Sequence, residues 1–139
     1  MKQNGLSTGE RIKRKKEFEL IYKSGISTLS SNKQIKAVYI IEKLSKPTVN
    51  IAVTVSKKAG NAVWRNKIKR LIRESYRLVK SDFLNTCQQN KISVKMIFSP
   101  NRINQENNKI VHLHDVIPGV MDIITKIEDS IKLKAAKIL

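Results

Sequence analysis

Cysteine is almost absent from this chain: Cys87 is the only one in 139 residues, so no intramolecular disulfide can form. It sits in a segment read as a polar loop, without a sequence cue for a paired base, and is expected to be an ordinary free thiol rather than a nucleophile. Long apolar runs are missing as well. No stretch approaches the roughly 18 residues of a membrane-spanning helix, and the segment from Met1 to Lys16 lacks the apolar run of a secretion signal, so a soluble, cytoplasmic protein is expected. Acids are few. Eleven Asp and Glu are scattered along the chain, which argues against a protein-only nuclease that clusters carboxylates around two metal ions. His112 and His114 have no further clustered ligand, and no metal site is expected. No internal repeat or long low-complexity tract is present.

What the chain has in abundance is positive charge. Twenty-eight Lys and Arg give a formal net charge of +17, far beyond what solubility requires, and the natural partner is a polyanion. The charge is uneven: residues 1 to 80 hold twenty Lys and Arg against five acids, and residues 81 to 139 hold eight against six. One domain is expected at this length, with a flexible lead-in over about residues 1 to 9.

The pattern along the chain alternates between two periods. Lys15 to Ser24 reads as a helix, with Phe18, Ile21 and Tyr22 at spacings of three and four and Gly25 as its stop. Ile26 to Leu44 reads as two strands around a turn at Ser30 to Lys33. Thr48 to Ser56 alternates strictly, with Val49, Ile51, Val53 and Val55 on one face. A turn from Lys57 to Gly60 leads into a helix capped by Asn61 and running to about Lys80, followed by a loop from Asp82 to Asn90. Ile92, Val94, Met96 and Phe98 mark a further strand ended by Pro100. The stretch from Asn101 to Lys109 reads as an exposed loop. A last helix begins near His114 or Pro118 and runs toward Lys137, with Val120, Ile123, Ile124, Ile127, Ile131 and Leu133 as its apolar stripe. The order α-β-β-β-α-β-α implies a layered α+β domain, helices against one small sheet.

The segment KKAGNAVWRNKIKRLIRESYRLVK, residues 57 to 80, carries nine Lys and Arg and a single acid, Glu74. At about 100° per residue, Trp64, Ile68, Leu71, Ile72, Ser75 and Val79 share one face, and Lys69, Arg70, Arg73, Arg77 and Lys80 gather opposite, with Arg65 and Lys67 on the flanks. Ordinary surface helices mix signs, because Lys and Glu four apart stabilise a helix and like charges do the reverse. This helix carries repulsion instead. A membrane-surface helix needs spare apolar surface, whereas here the apolar face is required to cover the sheet. Nucleic acid is the favoured partner, and Arg65 beside Asn66 supplies donors for phosphates, sugar hydroxyls or base edges.

The run VTVSKKAGNAVWRNKIKRLIRESYR resembles the signature segment of the protein subunit of bacterial ribonuclease P. The matching positions are Val53, Val55, Ser56, Lys57, Lys58, Gly60, Ala62, Arg65, Asn66, Lys69, Arg70, Arg73 and Glu74. ERIKRKKEFELIYKSG is similar to the family's first helix, and the resemblance covers roughly residues 10 to 135. Lys67 stands where arginine is common, Trp64 is bulkier than the usual aliphatic residue, Ala52 replaces a frequent glycine, and Asn101 to Asp115 is longer than the usual connection.

The resemblance implies an α-β sandwich with a left-handed βαβ crossover, against the usual right-handed rule. It implies an endoribonuclease that works as a ribonucleoprotein and removes the 5′ leader of precursor tRNA. In that assembly the RNA subunit supplies the active site and its magnesium ions, and the protein contributes no catalytic residue and no cofactor. Carried over by position, Lys57, Lys58, Arg65, Asn66, Lys69, Arg70 and Arg73 bind the catalytic RNA, and Phe18, Tyr22 and Tyr39 line the cleft for the precursor's leader. The implied partners are the catalytic RNA and precursor tRNA, with no membrane. Core packing is the competing reading for Phe18 and Tyr22, and a noncatalytic ribosomal or assembly protein is the competing reading for the whole chain.

Overall fold

In the computed structural model, residues 10 to 138 are described; the flexible lead-in expected over residues 1 to 9 lies outside them. The elements follow the expected order: α1 (Lys15–Ser24), β1 (Ile26–Leu29), β2 (Ile35–Lys43), β3 (Val49–Val53), α2 (Ala62–Gln89), β4 (Ile92–Pro100) and α3 (Leu113–Ile138). The strands form one mixed sheet in the order β1-β2-β4-β3. β1 and β2 pair antiparallel, as do β2 and β4, whereas β3 and β4 are parallel. Helix α2 is therefore the crossover that returns the chain from β3 to its parallel neighbour.

Register divides the sheet into two faces. Ala37, Tyr39, Ile51, Val53, Val94, Met96 and Phe98 are buried in the large core with residues of α2 and α3. Val38 and Ile97 point the other way, into a smaller cluster with Ile12 and Ile21 that Phe18, Ile40 and Ala52 flank. The alternation in β3 extends as expected: Thr54 still donates to Phe98 O at 2.9 Å, and Val55 is buried.

Three sequence expectations need correction. Helix α2 does not stop near Lys80 but continues to Gln89 through the segment read as a loop. Phe83 and Cys87 keep the helical spacing of Tyr76 and are buried, and the polar Asn85, Gln88 and Gln89 that resemble a loop are the solvent face of the same helix. Cys87 is consequently a buried helix residue. Leu133, assigned to the apolar stripe of the last helix, is 60 % exposed: it lines an open pocket with Leu20, Ile26 and Tyr39, while Ile131 on the same turn is fully buried. The stretch Asn101 to Lys109 is a loop, but its Ile103 is buried and much of it is docked on the body of the protein.

Candidate nucleic-acid interface

The cationic surface begins in the turn before α2. Ser56 accepts a hydrogen bond from Lys58 N at 3.3 Å, and a short 3-10 turn, Lys57–Ala59, leaves both lysines exposed. Asn61 then caps α2, its Oδ1 accepting from Trp64 N at 2.9 Å, which is the role its position predicted. Arg65 donates from Nε to Gly60 O at 3.1 Å, tying the guanidinium stem to the turn. Asn66 and Arg70 are exposed, while Arg65, Lys69 and Arg73 are half-buried along the same side of α2.

Lys57, Lys58, Arg65, Lys69, Arg70 and Arg73 form no ion pair among the described residues. Arg73 goes further: burial and the neighbouring Arg11 charge both lower its pKa. Arg11 reaches this position because the chain before α1 runs beside β3, with Arg11 bridged to Ile51 and Ile12 N donating to Ile51 O at 2.9 Å. Two arginines are thus held close enough to repel, an arrangement that an incoming phosphate stabilises. Arg11 was not singled out from the sequence. Its periodicity gives no signal, and only the pairing of the N-terminal arm with β3 brings it to α2.

Lys80 is not part of this free surface, contrary to its helical-wheel position. It is buried and paired with Glu10 at 3.2 Å, so it secures the N-terminal arm to α2. The buried arc of α2 is wider than a single apolar stripe because the helix is covered by both the sheet and α3, and Tyr76 joins it.

The three aromatics expected in one cleft are divided between the two sheet faces. Tyr22 is 53 % exposed, and its hydroxyl lies 3.3 Å from Thr54 Oγ1. Phe18, one helical turn earlier, is half-buried against the smaller cluster. Tyr39 pairs in register with Met96 and is buried in the large core on the opposite face, so it does not join them. The side-chain period of two in a strand makes that outcome absolute: with Val38 toward α1, Tyr39 must face away. Beside Tyr22 the open face is polar, since Thr54, Ser99 and Lys36 are all at least partly exposed.

No group of three or more His, Cys, Asp or Glu side chains that could hold a metal ion occurs among the described residues. His112 and His114 stack with ring centroids 5.3 Å apart and are exposed. No helix among them is long and apolar enough to cross a membrane.

An unpaired cationic helix edge, joined through the end of β3 to an exposed aromatic, defines a polyanion-binding α+β protein. Comparison with known proteins makes that class specific. The model of the Ribonuclease P family matches residues 6–113, and the chain belongs to that family. The Ribonuclease P protein component of Bacillus cereus (strain AH187) is 44 % identical over 72 residues, which are 52 % of this chain and 60 % of that protein. The matched segment thus spans less than two thirds of the length of these relatives. The Staphylococcus aureus RNase P protein is similar at 30 % identity and a TM-score of 0.61, over 85 % of this chain and 94 % of that one. The Thermotoga maritima RNase P protein shares the fold, with a TM-score of 0.64 at 23 % identity over 84 % of this chain and 96 % of that one.

Proposed function

We propose that this protein is the protein subunit of a bacterial ribonuclease P, binding the catalytic RNA through Lys57, Lys58, Arg65, Asn66, Lys69, Arg70 and Arg73 and the precursor's 5′ leader over Phe18 and Tyr22. The observation that carries the reading is the continuity of the two surfaces. Tyr22 meets Thr54, and two residues later the chain enters the turn that presents Lys57 and Lys58. A strand of RNA lying over Tyr22 therefore passes directly onto the cations.

Each part of the surface has its own task. The cations neutralise phosphates and fix the register of the RNA without reading sequence. The aromatics offer π-faces to unpaired bases, which suits a single-stranded leader and leaves the paired body of tRNA to other contacts. The chemistry and its magnesium ions belong to the RNA subunit in this reading, and the protein's work is binding and orientation. Such an assembly acts in the cytoplasm.

The test is cleavage of a labelled precursor tRNA by a bacterial ribonuclease P RNA at low magnesium, with and without this protein, and by the protein alone. Stimulation that requires the RNA is the expected result. Binding of a matched RNA without stimulation favours a noncatalytic assembly protein, and cleavage by the protein alone overturns the division of labour.

A further inference from the structure

The loop between β4 and α3 is long and polar, a composition that ordinarily leaves a segment loose. Here it is tied down along its length. Asn101 N donates to Gln34 O at 2.7 Å, and Asn101 Nδ2 to Lys33 O at 2.8 Å, fixing the start of the loop to the β1–β2 turn. Ile103 and Val111 are buried. Between them the loop folds on itself: Asn108 N donates to Asn104 O at 2.7 Å, and Asn107 N to Asn104 Oδ1 at 2.9 Å.

The middle of the loop grips the basic turn. Gln105 N donates to Ala59 O at 2.7 Å, and Gln105 Oε1 accepts from Asn61 N at 2.8 Å, so one residue holds both sides of Gly60. Trp64 Nε1 donates to Asn108 O at 2.9 Å, which gives the bulky residue at this position a purpose beyond filling the core. Gly60 is required by the same approach. A Cβ there would stand 2.8 Å from Gln105 and from the Trp64 ring.

Between the turn and the loop lies an open notch of about 620 Å³, with Lys58 on one wall and Lys109 on the other. Both lysines are exposed and neither forms an ion pair among the described residues; the one acid among the described lining residues is Glu106. We propose that this notch is a second phosphate-binding surface for the catalytic RNA, in which Lys109 extends the cationic face of the turn and α2 onto the β4–α3 loop. The proposal rests on the reading of the helix as the RNA-binding element. A clamped loop presents Lys109 at a fixed place opposite Lys58, so neighbouring phosphates of one RNA strand can each meet a cation, one on either wall.

The test is a salt titration of the binding of full-length protein to a bacterial ribonuclease P RNA transcript, with K58Q, K109Q, K109R, E106Q and R70Q beside the wild type. Lys109 is exposed, and circular dichroism and thermal melting confirm that each variant folds. Each lost phosphate contact flattens the log–log salt slope by about 0.7 to 0.9. K58Q and K109Q are expected to flatten it by that increment, K109R to retain the wild-type slope, and E106Q to tighten binding. A K109Q slope equal to wild type while R70Q is flattened overturns the notch and leaves the helix in place. Unchanged slopes for both K109Q and R70Q overturn the helix reading as well.

Discussion

The two faces of the sheet use the same strands for opposite ends. Toward α2 and α3, β2, β3 and β4 present Ala37, Tyr39, Ile51, Val53, Val94, Met96 and Phe98, all buried. Toward α1 the same strands present Val38 and Ile97 to a small cluster and leave Lys36, Thr54 and Ser99 partly open. The difference follows from how much helix covers each side: α2 and α3, 28 and 26 residues long, pack against one face, and the 10-residue α1 against the other. The covered face supplies stability through removal of apolar surface from water. The sparsely covered face retains polar and aromatic groups that stay open to solvent.

The contrast is sharpest under substitution. Phe98→Ala empties space beneath Tyr76, whose ring centroid lies 6.2 Å away, and is expected to cost about 3 to 5 kcal/mol in denaturant unfolding. A loss below ~1 kcal/mol would mean that the covered face is not the packed core described. Tyr22→Ala on the open face reverses the pattern. Stability stays within about 0.5 kcal/mol, while binding of precursor tRNA by the assembled holoenzyme weakens by about 1 to 3 kcal/mol. Mature tRNA, which has no leader, is unaffected, and equal losses for the two RNAs would remove the leader from this surface.

A smaller effect probes the covered face for imperfection. The Tyr76 hydroxyl is fully buried with no hydrogen-bond partner among the described residues, and burial, with the charges of Glu10 and Cys87, raises its pKa well above the ordinary phenol value. Tyr76→Phe removes an unsatisfied group without removing the ring and should raise stability by about 1 kcal/mol. A loss of that size would reveal a partner for the hydroxyl.

The smallest effect at neutral pH concerns Cys87. Burial, and then the neighbouring Glu128 charge, push its thiol from 9.0 up to about 12. The folded protein thus keeps the proton that the unfolded chain releases, so the thiol leaves stability unchanged below its ordinary value. It turns against folding as pH rises from there toward about 12. Alkylation at pH 8 should be slow in the folded protein and fast in denaturant, and rapid native labelling would show that this part of α2 opens.

The element order and the cationic face of α2 were legible because they depend on local periods. Strict alternation placed Val49, Ile51 and Val53 inside, and spacings of three and four placed Trp64, Ile68 and Ile72 under a cationic surface. The motif beginning at Ser56 set the turn, the Asn61 cap and the start of α2. Periodicity failed where a second partner changed what a position touches. The segment from Asp82 to Gln89 reads as loop by composition, yet α3 covers its Phe83 and Cys87 and keeps it helical. Lys80 reads as a surface cation until Glu10 meets it.

By itself, then, the sequence determined the order of helices and strands, the excess of positive charge and its concentration on α2, because these follow from residue type and spacing along one chain. Only the tertiary structure decided that Tyr39 lies on the opposite sheet face from Phe18 and Tyr22, that Arg11 stands beside Arg73, and that Gln105 grips the turn carrying Lys57 and Lys58. Each of those depends on strand register or on contacts between segments distant in the chain, and neither is encoded in any local period.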